Sequence, residues 1–230
     1  MSGPVRLTLD IWSDVMCPWC LVGWGNLRQA LDELAGEVEA EVRWRAFELN
    51  PDMPPEGEEA TAHIARKYGR PASGAAAMQR MVEEAGRAAG VSLAFQGPEP
   101  APPAMLWNTF LAHKLLAWAG ETLGGERQTT LMLALCRAHW NERRAIGERE
   151  VLLDVAETAG LDRAEAAEAL GSEHWATVVR AEQDEARRRN ITGVPAVLVA
   201  DKFLIPGAQP PGGYAAALRR VAARQVKQPG

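Results

Sequence analysis

Hydrophobic and polar positions alternate at the start of the chain. Val5, Leu7, Leu9 and Ile11 interleave with Arg6, Thr8, Asp10 and Trp12, the period of two that predicts a strand with one buried face. The period then changes. Leu21, Trp24, Leu27, Leu31 and Leu34 recur at steps of three and four, as on a helix packed against a core. Pro18 suits the first helical position, where its missing N–H would have had no partner, and Gly36 is a stop signal. Gly23 and Gly25 are poor helix formers, so close backbone packing or a bent first segment is expected there. A second alternation, Val38, Ala40, Val42, Trp44 and Ala46 against Glu39, Glu41, Arg43 and Arg45, predicts a strand to about Phe47.

Residues 50–57 form a Pro-rich turn region, and from about 58 to 190 the pattern is helical. Helices are expected near 58–69, 75–89, 104–119, 126–141, 148–159, 163–170 and 174–189. The Pro-rich run 96–103, Gly120 and Gly124-Gly125 separate some of them. Strand character then returns. Pro195 opens the apolar run Ala196-Val197-Leu198-Val199, as proline can at the first residue of a strand. Asp201-Lys202 reads as a tight turn and Phe203-Leu204-Ile205 as a second strand, so a hairpin is expected. An Ala-, Leu- and Arg-rich helix over 214–226 follows Pro210-Pro211-Gly212-Gly213.

The 230 residues fit one large domain or two small ones. The net charge of −5 is mild and mixed, with no basic stripe for nucleic acid and no polybasic helix for a membrane surface. No apolar stretch approaches the ~20 residues of a membrane span. The opening Met-Ser-Gly-Pro-Val-Arg has no signal-peptide pattern, so a cytoplasmic location is expected. Three cysteines do not make a disulfide scaffold, and in a reducing compartment a CxxC is more often catalytic.

That CxxC is Cys17-Pro18-Trp19-Cys20, set between the first strand and the first helix. Residues three apart share a helix face, which puts the two cysteines within the ~4.4–6.8 Å Cα separation of a disulfide. First-turn N–H groups carry partial positive charge, and helix N-termini and CxxC motifs lower a cysteine pKa from its usual ~8.5. Cys17 is therefore expected to be the exposed nucleophile, with a moderately lowered pKa, and Cys20 the more buried resolving thiol. Half a zinc site is the competing reading, but such sites usually need four ligands. Cys136 and His63, His113, His139 and His174 show no close ligand spacing, so no metal is expected. Cys136, in an apolar helix, reads as a buried inert thiol. His113 and His139 read as satisfied core or boundary histidines. Asp14 reads as a helix cap or local hydrogen-bond acceptor ahead of a proton carrier for Cys20. Most of the Met and Trp residues of the helical stretch should be core, while Met16, Met53 and Trp19 near the thiols could receive extended segments.

The order strand, CxxC helix, strand, helical insertion, Gly-Val-Pro, hairpin, helix resembles the thioredoxin superfamily, and within it the DsbA-like branch and its FrnE-like subgroup. The resemblance is carried by Ser13-Asp14-Val15-Met16-Cys17-Pro18-Trp19-Cys20, the run 44–57, Asn108-Thr109 with Ala112-His113, and Gly193-Val194-Pro195 with Gly207-Ala208-Gln209-Pro210-Pro211. It implies an α/β thioredoxin-like fold with a large helical insertion: thioredoxin-like parts at 1–50 and 190–230, the insertion at 51–189. It implies a cis Val194–Pro195 peptide facing Cys17 and Cys20, with Pro18, Trp19, Val194 and Pro195 binding substrate. The implied activity is thiol–disulfide exchange with a protein or small-molecule thiol or disulfide. No tightly bound cofactor is implied; glutathione is the candidate thiol co-substrate, and a monomer or homodimer is expected. The subgroup is also similar to 2-hydroxychromene-2-carboxylate isomerases and kappa-class glutathione transferases, which generally carry Ser where this chain has Cys17 and lack the second thiol. Glutathione-dependent isomerisation and a non-catalytic polypeptide-binding holdase are therefore the alternative activities.

Overall fold

The alternating N-terminal segment forms β1 (Val5–Ser13), the central partner of a four-stranded sheet in the order β2-β1-β5-β6. The computed structural model describes residues 3–69 and 72–227. From β1 the chain enters α1 (Pro18–Glu33) and returns as β2 (Val38–Ala46), parallel to β1 with Val5 opposite Val38 and Ser13 opposite Ala46. Pro18 occupies the start of α1, and Gly36, at φ +85°, turns the chain after it. β5 (Ala196–Val199) runs antiparallel to β1 on its other side, and β6 (Phe203–Pro206) pairs antiparallel with β5. The hairpin turn is centred on Ala200 and Asp201, both at positive φ, one residue before the expected Asp201-Lys202. α9 (Pro211–Lys227) closes the chain and begins at Pro211, earlier than its apolar pattern suggested.

Between β2 and β5 lie α2 (Ala60–Tyr68), α3 (Ala72–Ala88), α4 (Phe110–Leu123), α5 (Gly125–Trp140), α6 (Arg149–Thr158), α7 (Arg163–Gly171) and α8 (Glu173–Arg188). Two short strands interrupt them, β3 (Glu58–Glu59) and β4 (Met105–Leu106), paired antiparallel. Among the described residues no helix is long and apolar enough to cross a membrane. The arrangement is the α/β thioredoxin-like fold with a helical insertion.

Side-chain alternation assigns the sheet two faces. Leu7, Leu9, Ile11, Val197 and Val199 join the main core with α1, α9 and the helices of the insertion. Trp12, Ala196 and Leu198 face the other way, against Ala186 of α8 and Ile191. The expectation of one buried face on β1 holds only for its first half; from Asp10 to Ser13 every residue is buried, because α8 covers the second face. There Arg45 pairs with Asp10 at 2.7 Å and with Glu182 of α8 at 2.9 Å. An edge strand leaves backbone groups unpaired, and β2 answers this with side chains. The Gln128 amide accepts from Trp44 N–H at 2.9 Å and donates to the Trp44 carbonyl at 2.9 Å, and Glu182 accepts from Ala46 N–H at 2.8 Å.

Candidate functional site

Cys17 is the N-cap of α1, and no acidic residue occupies the first turn, so nothing there offsets the helix's positive end. Both thiols are free. The Val194–Pro195 peptide is cis, and the Cys17 thiol donates to the Val194 carbonyl at 3.6 Å. Residues 177 positions apart thus meet at one sulfur. Three contacts hold the proline loop against α1 and its neighbours. Gly207 N–H donates to the Pro195 carbonyl at 2.8 Å, Tyr214 hydroxyl to the Gly207 carbonyl at 3.2 Å, and the Asn26 amide to the Gln209 carbonyl at 2.9 Å. Gly23 makes the approach possible, since a Cβ there would lie 3.0 Å from Pro195 Cγ. Close packing was expected of Gly25 too, and its position would put a Cβ 2.4 Å from the Ala89 carbonyl oxygen.

Cys17 is not exposed as expected. It is 4% accessible against 2% for Cys20, because the proline loop lies over its sulfur. Pro18 and Trp19 beside it are half-buried. Burial pushes the Cys20 thiol well up, and the adjacent Cys17 adds to the shift. Cys20 therefore keeps its proton at neutral pH, as a resolving thiol should before attack. Met16 and Met53 are interior rather than groove-lining, and the Met16 sulfur accepts from Trp107 N–H at 2.9 Å. Cys136 is buried behind the pair, its thiol donating to the Val15 carbonyl at 3.8 Å, and burial raises its pKa.

Asp14 does not cap α1. Its fully buried carboxylate accepts from Met16 N–H at 3.3 Å and from Leu49 N–H at 2.8 Å, while its carbonyl accepts from Cys17 N–H at 2.9 Å. It ties the Cys17 loop to the chain leaving β2. Burial raises its pKa to about 6, against the opposing effect of those hydrogen bonds, Thr109 and Lys67. His113 of α4 comes within 3.9 Å of Asp14, and burial lowers its pKa to about 4. It is the core histidine expected, but half satisfied: its ring bonds the Phe47 backbone, while its Nε2 has no hydrogen-bond partner. Asn26, Tyr214 and Glu48, which borders this cluster, were not anticipated. Each is a single polar residue in or beside an apolar run, and only the long-range fold gives it a role.

The chain matches the family described as DSBA-like thioredoxin domain over residues 8–219. It is 28% identical over 201 residues to the uncharacterized protein YwbO of Bacillus subtilis (strain 168), covering 87% of this chain and 90% of that one. The crystal structure of a probable DsbA oxidoreductase from Streptomyces coelicolor superposes with a TM-score of 0.82 at 29% identity, over 95% of this chain and 91% of that chain. A 2-hydroxychromene-2-carboxylate isomerase structure gives a TM-score of 0.65 at 17% identity, over 96% of this chain and 98% of that chain, a likeness of fold. With a match that begins within β1 and ends within α9, this chain belongs to the DSBA-like thioredoxin domain family.

Proposed function

We propose that the protein is a thiol–disulfide oxidoreductase in which Cys17 attacks and Cys20 resolves. The observation that supports this best is the meeting of Cys17, at the N-terminus of α1, with the Val194 carbonyl of the cis-proline loop. In the reducing direction the Cys17 thiolate attacks one sulfur of a substrate disulfide. A Cys17–substrate S–S bond forms, and the other substrate sulfur leaves as a thiolate and takes a proton from solvent. Cys20 then gives up its proton and attacks Cys17 Sγ, forming the internal disulfide and expelling the second substrate thiolate. Two electrons pass to the substrate; the reverse sequence oxidises a substrate dithiol. Pro18, Trp19, Val194 and Pro195 form the binding surface, with the Val194 carbonyl placed to pair with an extended substrate chain.

The substrates are protein or small-molecule thiols and disulfides, with glutathione as a diffusible thiol co-substrate rather than a resident group, and the protein acts in the cytoplasm. The isomerase reading loses ground because both thiols are present and adjacent. The holdase reading loses ground because Met16 and Met53 are interior. The test is turnover of insulin disulfides together with reaction of the Cys20→Ser variant with oxidised glutathione. Wild type is expected to reduce insulin in the presence of a thiol reductant, Cys17→Ser to lose the activity, and Cys20→Ser to accumulate a mixed disulfide on Cys17 visible by intact mass. A Cys17→Ser, Cys20→Ser double variant that still reduces insulin would overturn the proposal.

A further inference from the structure

A cavity of about 320 Å³ lies between the chain leaving β2, the end of α8 and the loop that leads to Val194. Phe47, Pro51 and Ile191 give it apolar walls, and Glu48, Gln183 and Arg187 give it polar ones. Both sides of it are fixed to the redox site. On one side Leu49 N–H donates to the Asp14 carboxylate at 2.8 Å, and the Asp14 backbone carbonyl accepts from Cys17 N–H. On the other, Thr192 lines the cavity two residues before Val194, whose carbonyl takes the Cys17 thiol. Phe47 and Val194 pack against one shared apolar cluster of Trp12, Ile191 and Ala196.

The cavity is unevenly charged. Glu48 Oε2 accepts from the Gln183 amide at 2.8 Å, whereas its Oε1 is shielded from solvent and has no hydrogen-bond partner. Burial raises the pKa of this carboxyl, and the negative potential of Asp14 and Asp52 adds to the rise against the opposing Gln183 hydrogen bond and His113. Arg187, the cation on the cavity wall, is paired with Asp184. A half-satisfied, partly desolvated carboxylate interacts more strongly with an arriving cation than a solvated one does. The volume and apolar walls suit an aliphatic stem that ends in charge, as in Lys or Arg. An extended chain advances about 3.3 Å per residue, so a substrate paired with Val194 brings a side chain to Thr192 within one or two residues of its cysteine.

We propose that this cavity is a specificity subsite that takes a Lys or Arg side chain next to the reacting cysteine of the substrate; the assignment rests on the redox reading above. The test uses the full-length reduced protein and three short peptides, each carrying one cysteine in a mixed disulfide with a chromophoric thiol and differing only in Lys, Ala or Glu at the flanking positions. The readout is the Lys-to-Glu ratio of second-order rates, in which any change of basal reactivity cancels. A ratio of about five to ten is expected at low salt, falling with ionic strength. Glu48→Gln should bring the ratio toward one, and Arg187→Gln, which frees Asp184, should raise it; the two opposed changes keep the test informative if one variant folds poorly. A wild-type ratio near one, or equal ratios in all three proteins, overturns the subsite while leaving the redox reading standing. Failure of the Ala peptide to react at all overturns the redox reading and the subsite with it.

Discussion

Asp14 is the residue at which the local chain and the distant fold meet. Its two carboxylate oxygens serve two backbone N–H groups, one in the Cys17 loop and one beyond β2. Burial nevertheless raises its pKa from 3.8 to about 6. A carboxyl whose pKa is higher folded than unfolded binds protons more readily in the native state, so its contribution to stability grows as pH falls toward 5 and is lost as pH rises through 6. Asp14→Asn removes that titration. The stability difference, wild type minus variant, is expected to increase by about 1 kcal/mol between pH 7 and pH 5, read from urea unfolding at each pH. A difference that stays flat across that range would mean that the carboxyl titrates alike in both states. The sequence offered a cap or a local hydrogen-bond acceptor as the reading of Asp14 because it stands just before a helix, and the bond from Met16 N–H bears out the second. What it could not show is that Leu49, 35 residues away, supplies the donor.

Among the elements, those with a repeating pattern or an apolar run bounded by turn residues were legible and those with neither were not. β1, α1 and β2 follow periods of two or 3.6 and lie where that periodicity puts them, and β5 and β6 lie where two short apolar runs flank a turn. β3 and β4 are two residues each, too short to carry any period, so 58–59 and 105–106 read as the starts of helices. α4 begins at Phe110 rather than near 104, because Met105 and Leu106 pair with Glu59 and Glu58 and the Asn108 side chain accepts from Phe110 N–H at 3.0 Å. The lateral edge of β2 was equally hidden, since a glutamine that closes a strand looks like any polar residue on a helix. Gln128 is 4% accessible and bonds the Trp44 N–H, the Trp44 carbonyl and the Leu116 carbonyl. Gln128→Leu keeps the bulk and strands those three groups, each at about 1–3 kcal/mol when buried and unpaired. A loss of at least about 3 kcal/mol in urea unfolding is expected, with faster aggregation of the folded protein as the β2 edge opens. Unfolding midpoints equal to wild type would show that the edge needs no such closure.

At the scale of the whole molecule, acid sensitivity is set by which buried groups must change charge. Two histidines are held neutral inside the insertion and its junction with the sheet: His113, 2% accessible, and His139, 6% accessible. Burial lowers each from 6.5 to about 4. The unfolded chain therefore takes up their protons as pH falls through 6.5 while the native state refuses them until about 4, so stability is lost across that window. Each shift corresponds to about 3 kcal/mol, and the two together outweigh the opposing gain from Asp14. His139 separates this effect from the redox site, because its ring packs edge-on against Trp140 and burial is the cause of its shift. His139→Gln keeps a polar side chain and removes the titration. The variant is expected to be less stable than wild type at pH 7, where the ring contact is missed, and to close that gap by about 2 kcal/mol by pH 4.5. Chemical unfolding at the two pH values decides it. Parallel losses in both proteins would mean that His139 accepts its proton as easily inside the fold as outside it, and the acid lability would then fall to His113 alone.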